Sequence, residues 1–174
     1  MPSSYTSSLR LTLPVTGELT GAWGDTVNDG ITALVDSSIA GTATVSHDDS
    51  ANYVLTFASG SADQARQMVL NVTGTLTEAR NVVCPSLSKL YLFKNATTGG
   101  FPAVLKTSGG TGIAVPAGAI AFLYCDGTNV VDANTYISTL GVSTLAVADL
   151  SAAISSLGAA GAASLTLTTD LPVS

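Results

Sequence analysis

The side chains able to do chemistry are few and scattered. The chain holds one histidine, His47, followed by Asp48 and Asp49. A histidine beside carboxylates suits a metal site or a general base. No second ligand stands at a usable spacing, and the dense oxygen donors of a calcium loop are absent. Three polar residues between two apolar runs therefore read as a turn. Cys84 and Cys125 sit in separate apolar runs without a CxxC partner. They read as buried free thiols acting as small hydrophobes, with a disulfide as the alternative. Serines are abundant, yet none lies in a GxSxG elbow. The segments Thr98-Gly99-Gly100 and Ser108-Gly109-Gly110-Thr111-Gly112 permit positive φ but match neither phosphate-binding glycine pattern. Asp25, Asp29 and Asp36 read as the solvated face of a helix. Glu18 and Glu78 are the only glutamates, and no carboxylate pair is singled out for glycoside hydrolysis. Asn71-Val72-Thr73 and Asn95-Ala96-Thr97 fit the glycosylation pattern by chance in a chain read as lacking an export signal. The sequence predicts no catalytic, cofactor-binding or metal-ligating residue, and no cofactor.

Composition narrows the classes further. Of 174 residues, 46% are hydrophobic but only 10% are charged, well below the roughly 25% of an ordinary soluble domain. Ser, Thr, Asn, Gly and Ala must cover the surface, so like copies repel weakly. Six basic residues against twelve acidic give a net charge of −6. Arg10, Arg66, Arg80, Lys89, Lys94 and Lys106 form no cluster, which argues against nucleic acid and against an anionic membrane surface. The apolar window Gly112 to Cys125 is broken by Pro116 and Gly118 and is too short for a span. Met1-Pro2-Ser3-Ser4-Tyr5 shows no basic-then-apolar leader, so synthesis in a reducing cytoplasm is expected.

The elements that must position these residues divide the chain in four. Residues 1–22 read as an arm with brief alternation at Arg10-Leu11-Thr12-Leu13. Residues 23–41 read as an amphipathic helix. Trp23, Val27, Ile31, Leu34, Val35 and Ile39 share one face, Thr20 is a candidate cap, and Gly41 a terminator. Gly30 inside it costs about 1 kcal/mol relative to alanine. Trp23 reads as an anchor in a core or an interface.

From residue 42 to 134 the period becomes two. Short runs rich in Val, Leu, Ile and aromatics are separated by Gly, Pro, Asn or Asp, which predicts a mainly β fold: an antiparallel sandwich or jelly-roll-like domain. Asp126-Gly127-Thr128-Asn129 marks a hairpin. Phe57, Val69, Leu92, Val104, Phe122 and Tyr124 are the expected core. Residues 135–174 read as an extended tail, with a weak helix at Asp149 to Leu157, a small-residue stretch at Gly158 to Ser164, and a final strand at Leu165 to Thr168. Arm and tail cannot bury a core of their own and are expected to lie on neighbours.

Gly21-Ala22-Trp23-Gly24-Asp25-Thr26-Val27-Asn28-Asp29-Gly30 resembles a phrase near the start of tail-fibre-like and virion-associated proteins of tailed bacteriophages. Asn71-Val72-Thr73-Gly74-Thr75-Leu76-Thr77, Lys94-Asn95-Ala96-Thr97-Thr98-Gly99-Gly100, Lys106 to Pro116 and Asp126-Gly127-Thr128-Asn129-Val130-Val131 extend the likeness over about residues 15 to 133. The resemblance implies a structural virion part without enzymatic activity, commonly trimeric, made in the host bacterial cytoplasm. With no long shaft or large head after about residue 140, it implies a capsid cement or decoration protein contacting the major capsid protein. The alternatives are a tail fibre, adaptor or baseplate component contacting tail proteins, and a carbohydrate-binding or carbohydrate-degrading virion module, with Tyr53, Tyr91 or Tyr124 beside a carboxylate-lined groove.

Overall fold

A computed structural model describes residues 4–134, which belong to the unit Met1–Asn134. The tail read at 135–174, with its helix and strand, and the first three residues of the arm lie outside the described residues. The chain opens with a small hairpin of β1 (Ser4–Tyr5) and β2 (Thr12–Leu13). The arm is thus docked over this stretch rather than extended. The Arg10 carbonyl accepts from Gly60 N at 2.8 Å, and its guanidinium lies 5.3 Å from the centre of the Phe57 ring. Thr12 is buried between Gly30 and Gly60. A Cβ on either glycine would meet its hydroxyl, at 2.6 and 2.7 Å respectively. The helix-weakening Gly30 is there because the hairpin passes directly over it.

The helical segment runs α1 (Trp23–Val27), a π-helical stretch at Asn28–Thr32, and α2 (Ala33–Ala40). It starts at Ala22, whose side chain makes no cap, so Thr20 is not the cap. The wide π turn rotates the second half of the apolar stripe relative to the first. Leu34 is buried, whereas Trp23 is 62% and Ile39 70% exposed.

After Gly41 the chain alternates between two sheets. β3 (Thr42–Ser46), β5 (Val69–Thr73) and β7 (Ser88–Asn95) build one. β4 (Asn52–Val54), β6 (Arg80–Cys84) and β8 (Ala103–Thr107) build the other. β9 (Gly112–Val115), β10 (Ile120–Asp126) and β11 (Val130–Asp132) follow. The five-stranded sheet has the order β11-β10-β7-β5-β3 and the four-stranded sheet β4-β6-β8-β9. The domain is mainly β, two sheets around one core, preceded by a helical segment.

Strand direction is mixed. β3, β5 and β7 pair in parallel, as do β4, β6 and β8. The antiparallel pairing expected throughout is confined to β7–β10–β11 and β8–β9 here. A parallel pair needs a long connection, and the opposite sheet supplies it. Each excursion through β4 or β6 brings the chain back beside the strand it left, so successive coils stack. The short runs and their punctuation mark where strands lie but do not encode which sheet the next one joins.

One core fills the space between the sheets. Val45, Leu70, Val72, Tyr91, Phe93, Leu123 and Cys125 enter from one side, and Val82, Cys84, Ala103, Leu105 and Val115 from the other. Apart from Phe57, which packs against the core, the expected core set is displaced by one residue. Val69, Leu92 and Phe122 are half-buried on the outer face and Tyr124 is 37% exposed. Val104 and Phe57 are half-buried. A one-residue slip moves every side chain of a strand to the other face, and Leu90-Tyr91-Leu92-Phe93 is apolar at every position.

The corrected register is tested by a pair of truncations. Phe93→Ala should cost about 3–5 kcal/mol in urea unfolding, while Leu92→Ala costs about 1 kcal/mol or less in the isolated subunit. Equal losses would reject the assignment of faces.

Candidate interaction surface

His47 directly follows the first strand of the large sheet and turns inward. It is buried; its Nδ1 accepts from Asp49 N at 3.1 Å, and its Nε2 donates to the Asn81 carbonyl at 3.2 Å. The ring lies 5.6 Å from that of Tyr53. Both nitrogens are committed to backbone, so the histidine fastens the turn from β3 to β4. Asp49 takes left-handed backbone, φ 63. Its carboxylate accepts from Thr77 N, Thr77 Oγ1 and Arg80 Nε at 3.1, 2.6 and 2.8 Å. The Arg80 bond first, then the Thr77 bonds, hold its carboxyl well below the ordinary carboxylate range. Glu78 binds the other side of Arg80, so these two carboxylates converge on one cation. Asp48 caps Ser50 N at 3.2 Å. Among the described residues no group of three or more His, Cys, Asp or Glu is placed to hold a metal.

Two buried polar devices escaped the sequence reading. Arg66, placed there in a strand, is buried in a loop with Asp63: Nη2 donates to Asp63 Oδ2 at 2.8 Å and to the carbonyls of Ala58 and Ser61. An adjoining cavity of about 20 Å³ has room for a single water. Asn95, read within a chance glycosylation match, is fully buried. Its Nδ2 donates to the Val115 and Phe101 carbonyls, and its Oδ1 accepts from Thr97 N and Oγ1.

The three tyrosines do not share a groove. Tyr91 is buried and donates to the Ala65 carbonyl at 3.1 Å. Tyr53 lies on the smaller sheet beside His47, and Tyr124 is on the outer face of the larger one, 3.0 Å from Ser88 Oγ. Cys84 and Cys125 are both buried free thiols. Asp25 and Asp29 line an open groove with Tyr5, Thr12 and Leu19. Asp36 is exposed. Trp23 borders a second groove of about 350 Å³ with Pro14, Val15 and Leu19; it is anchored in no core within the described residues.

What the fold does bring together is apolar surface. The strand registers set Val131, Tyr124 and Leu90 in one row across the large sheet, and Phe122, Leu92 and Val69 in the next. Ile120 stands beside Lys94 in a third row. Leu90 is 40% and Ile120 59% exposed. A groove of about 370 Å³ lined by Leu9, Ile39, Met68 and Leu90 carries the patch on to the end of α2. Asp126 and Lys94 lie near opposite ends of this face, and the strand residues projecting between them carry no charge. Contiguous exposed apolar surface is characteristic of interaction sites in proteins. No protein-family model, no curated protein and no solved structure matches the chain.

Asp49 generates a pH dependence. Its folded pKa is depressed, so its contribution to stability is present above the ordinary carboxylate range and is lost as pH falls through it. Asparagine tolerates the left-handed backbone, so Asp49→Asn removes the charge alone. The melting temperature of the parent chain should fall more steeply than that of Asp49→Asn between about pH 5 and pH 2. Parallel curves would show that the Arg80–Asp49 contact carries no net stability.

Proposed function

We propose that this chain is a structural subunit of a tailed-phage virion, a capsid cement or decoration protein that stabilises the particle surface and is not an enzyme. The observation that carries this reading is a sheet apolar on both faces. One face meets the core, and the other presents Leu90, Ile120, Tyr124 and Val131 to the outside. Copies of the same chain cover that outer face. A net charge of −6 over 174 residues opposes such association weakly. The likeness to phage virion proteins supplies the particle and favours a trimer, in which the face meets a different patch of the neighbour. The subunit is made in the host cytoplasm and works on the virion, against the major capsid protein.

A tail fibre, adaptor or baseplate component, contacting tail proteins, is the second reading. The stacked parallel coils of β3 to β8 favour it, because such stacking is how elongated β structures are built.

The test combines Leu90→Lys with Ile120→Lys, both at exposed positions. The native chain should sediment as an oligomer and the double variant as a monomer with an unchanged circular-dichroism spectrum. A monomeric native chain, or an unaltered oligomer in the variant, would refute association through this face. Copies per particle separate the two virion readings: hundreds indicate decoration, and a few to a few tens indicate the tail.

A further inference from the structure

Cys84 closes β6 on the smaller sheet, and Cys125 lies near the end of β10 on the larger one. The two strands face each other across the core, and both side chains belong to the same buried cluster. The Cys125 thiol donates to the Pro85 carbonyl at 3.8 Å, and Pro85 is the residue that follows Cys84. The Cys84 thiol donates to the Lys106 carbonyl at 3.3 Å. The Tyr91 side chain belongs to the same buried cluster.

We propose that Cys84 and Cys125 are a latent cross-link between the two sheets, a dithiol under reducing conditions and a disulfide when a small-molecule disulfide is available as oxidant. Sequence separation hides the pair, because the two cysteines meet only when the sheets close. Coil stacking brings the end of β6 under the end of β10, and no other cysteine exists to compete.

The reaction is thiol–disulfide exchange with glutathione disulfide. One cysteine thiolate attacks a glutathione sulfur, the glutathione S–S bond breaks, and one glutathione thiolate leaves. The second cysteine attacks the mixed disulfide and expels the second glutathione. The protein pair gives up two electrons, glutathione disulfide takes them, and the two cysteine protons end on the two glutathione thiols.

Burial sets the kinetics. It pushes the Cys84 thiol up to about 12, so the attacking thiolate is scarce in the folded chain. The bond forms as the chain folds or opens, and once closed it is shielded from reductant. The geometry sets the equilibrium: folding holds the thiols together, so the folded chain favours the disulfide more than the unfolded chain does, and the disulfide favours folding by the same factor.

The full chain is refolded from urea in a series of reduced and oxidised glutathione mixtures, quenched with acid and weighed intact. The same series is run in urea. The expected product in the folded series is a monomer lighter by two hydrogens, with an equilibrium constant for disulfide formation about tenfold or more above that in urea. Its thermal midpoint lies several degrees above that of the dithiol form. Cys84→Ser and Cys125→Ser give neither the mass loss nor the rise. A smaller ratio, a lower midpoint on oxidation, or a cross-link only between chains overturns the proposal.

Discussion

After each strand from β3 to β7 the chain crosses from one sheet to the other, and the rest of the structure depends on that crossing. A crossing carries backbone N–H and C=O groups past the end of an apolar core, where an unpaired one costs about 1–3 kcal/mol. Of the buried polar residues, His47, Arg66, Asn95 and Thr97 are found at or beside these places. His47 serves the step from β3 to β4, Arg66 with Asp63 the step from β4 to β5, and Asn95 with Thr97 the step from β7 to β8. Thr107, whose hydroxyl binds the Thr128 carbonyl and accepts from Gly110 N, serves the turn after β8. Their bonds go mainly to main-chain atoms. The one histidine and the buried ion pair are therefore explained by the path of the chain, with no chemistry required of them.

The same path separates two kinds of surface. Polar loops gather at the ends, where strands hand over between sheets. The outer face of the five-stranded sheet carries apolar rows running from β11 to β5, with Leu9 and the end of α2 beside Leu90. With so few charges in the chain, the contrast between that face and its Ser- and Thr-rich surroundings is one of hydrophobicity rather than potential. A contact made there depends on area and shape and responds weakly to salt.

Much of the local structure was legible in the sequence. The helical period marked residues 23–40, and turn residues bracketed almost every strand. β9 was lost within the apolar window from Gly112 to Cys125, and the π turn left no trace because it preserves an apolar pattern while shifting its phase. The inward face was misread for a physical reason. At Leu90-Tyr91-Leu92-Phe93 both neighbours of a position are apolar, so alternation cannot choose between them. Leu92, Phe122 and Tyr124, expected in the core, lie instead on the surface now proposed for contact. Their apolar character was read correctly and their partner was not. Arg66, Asp63 and Asn95 were unreadable because most of their partners are main-chain N–H and C=O groups, which no sequence pattern displays.

Coil stacking also fixes the order in which the chain can mature. Thr42 pairs with Val69 and Val69 with Leu92, so no parallel pair can close until a full coil of chain lies between its members. Apart from the opening β1–β2 hairpin, the pairs that neighbours in sequence can make, β8 with β9 and β10 with β11, come last from the ribosome. Contacts distant in sequence form slowly, because loop closure precedes their reward. Each strand from β3 to β6 therefore waits for its next sheet partner until the intervening strand of the opposite sheet has also been made.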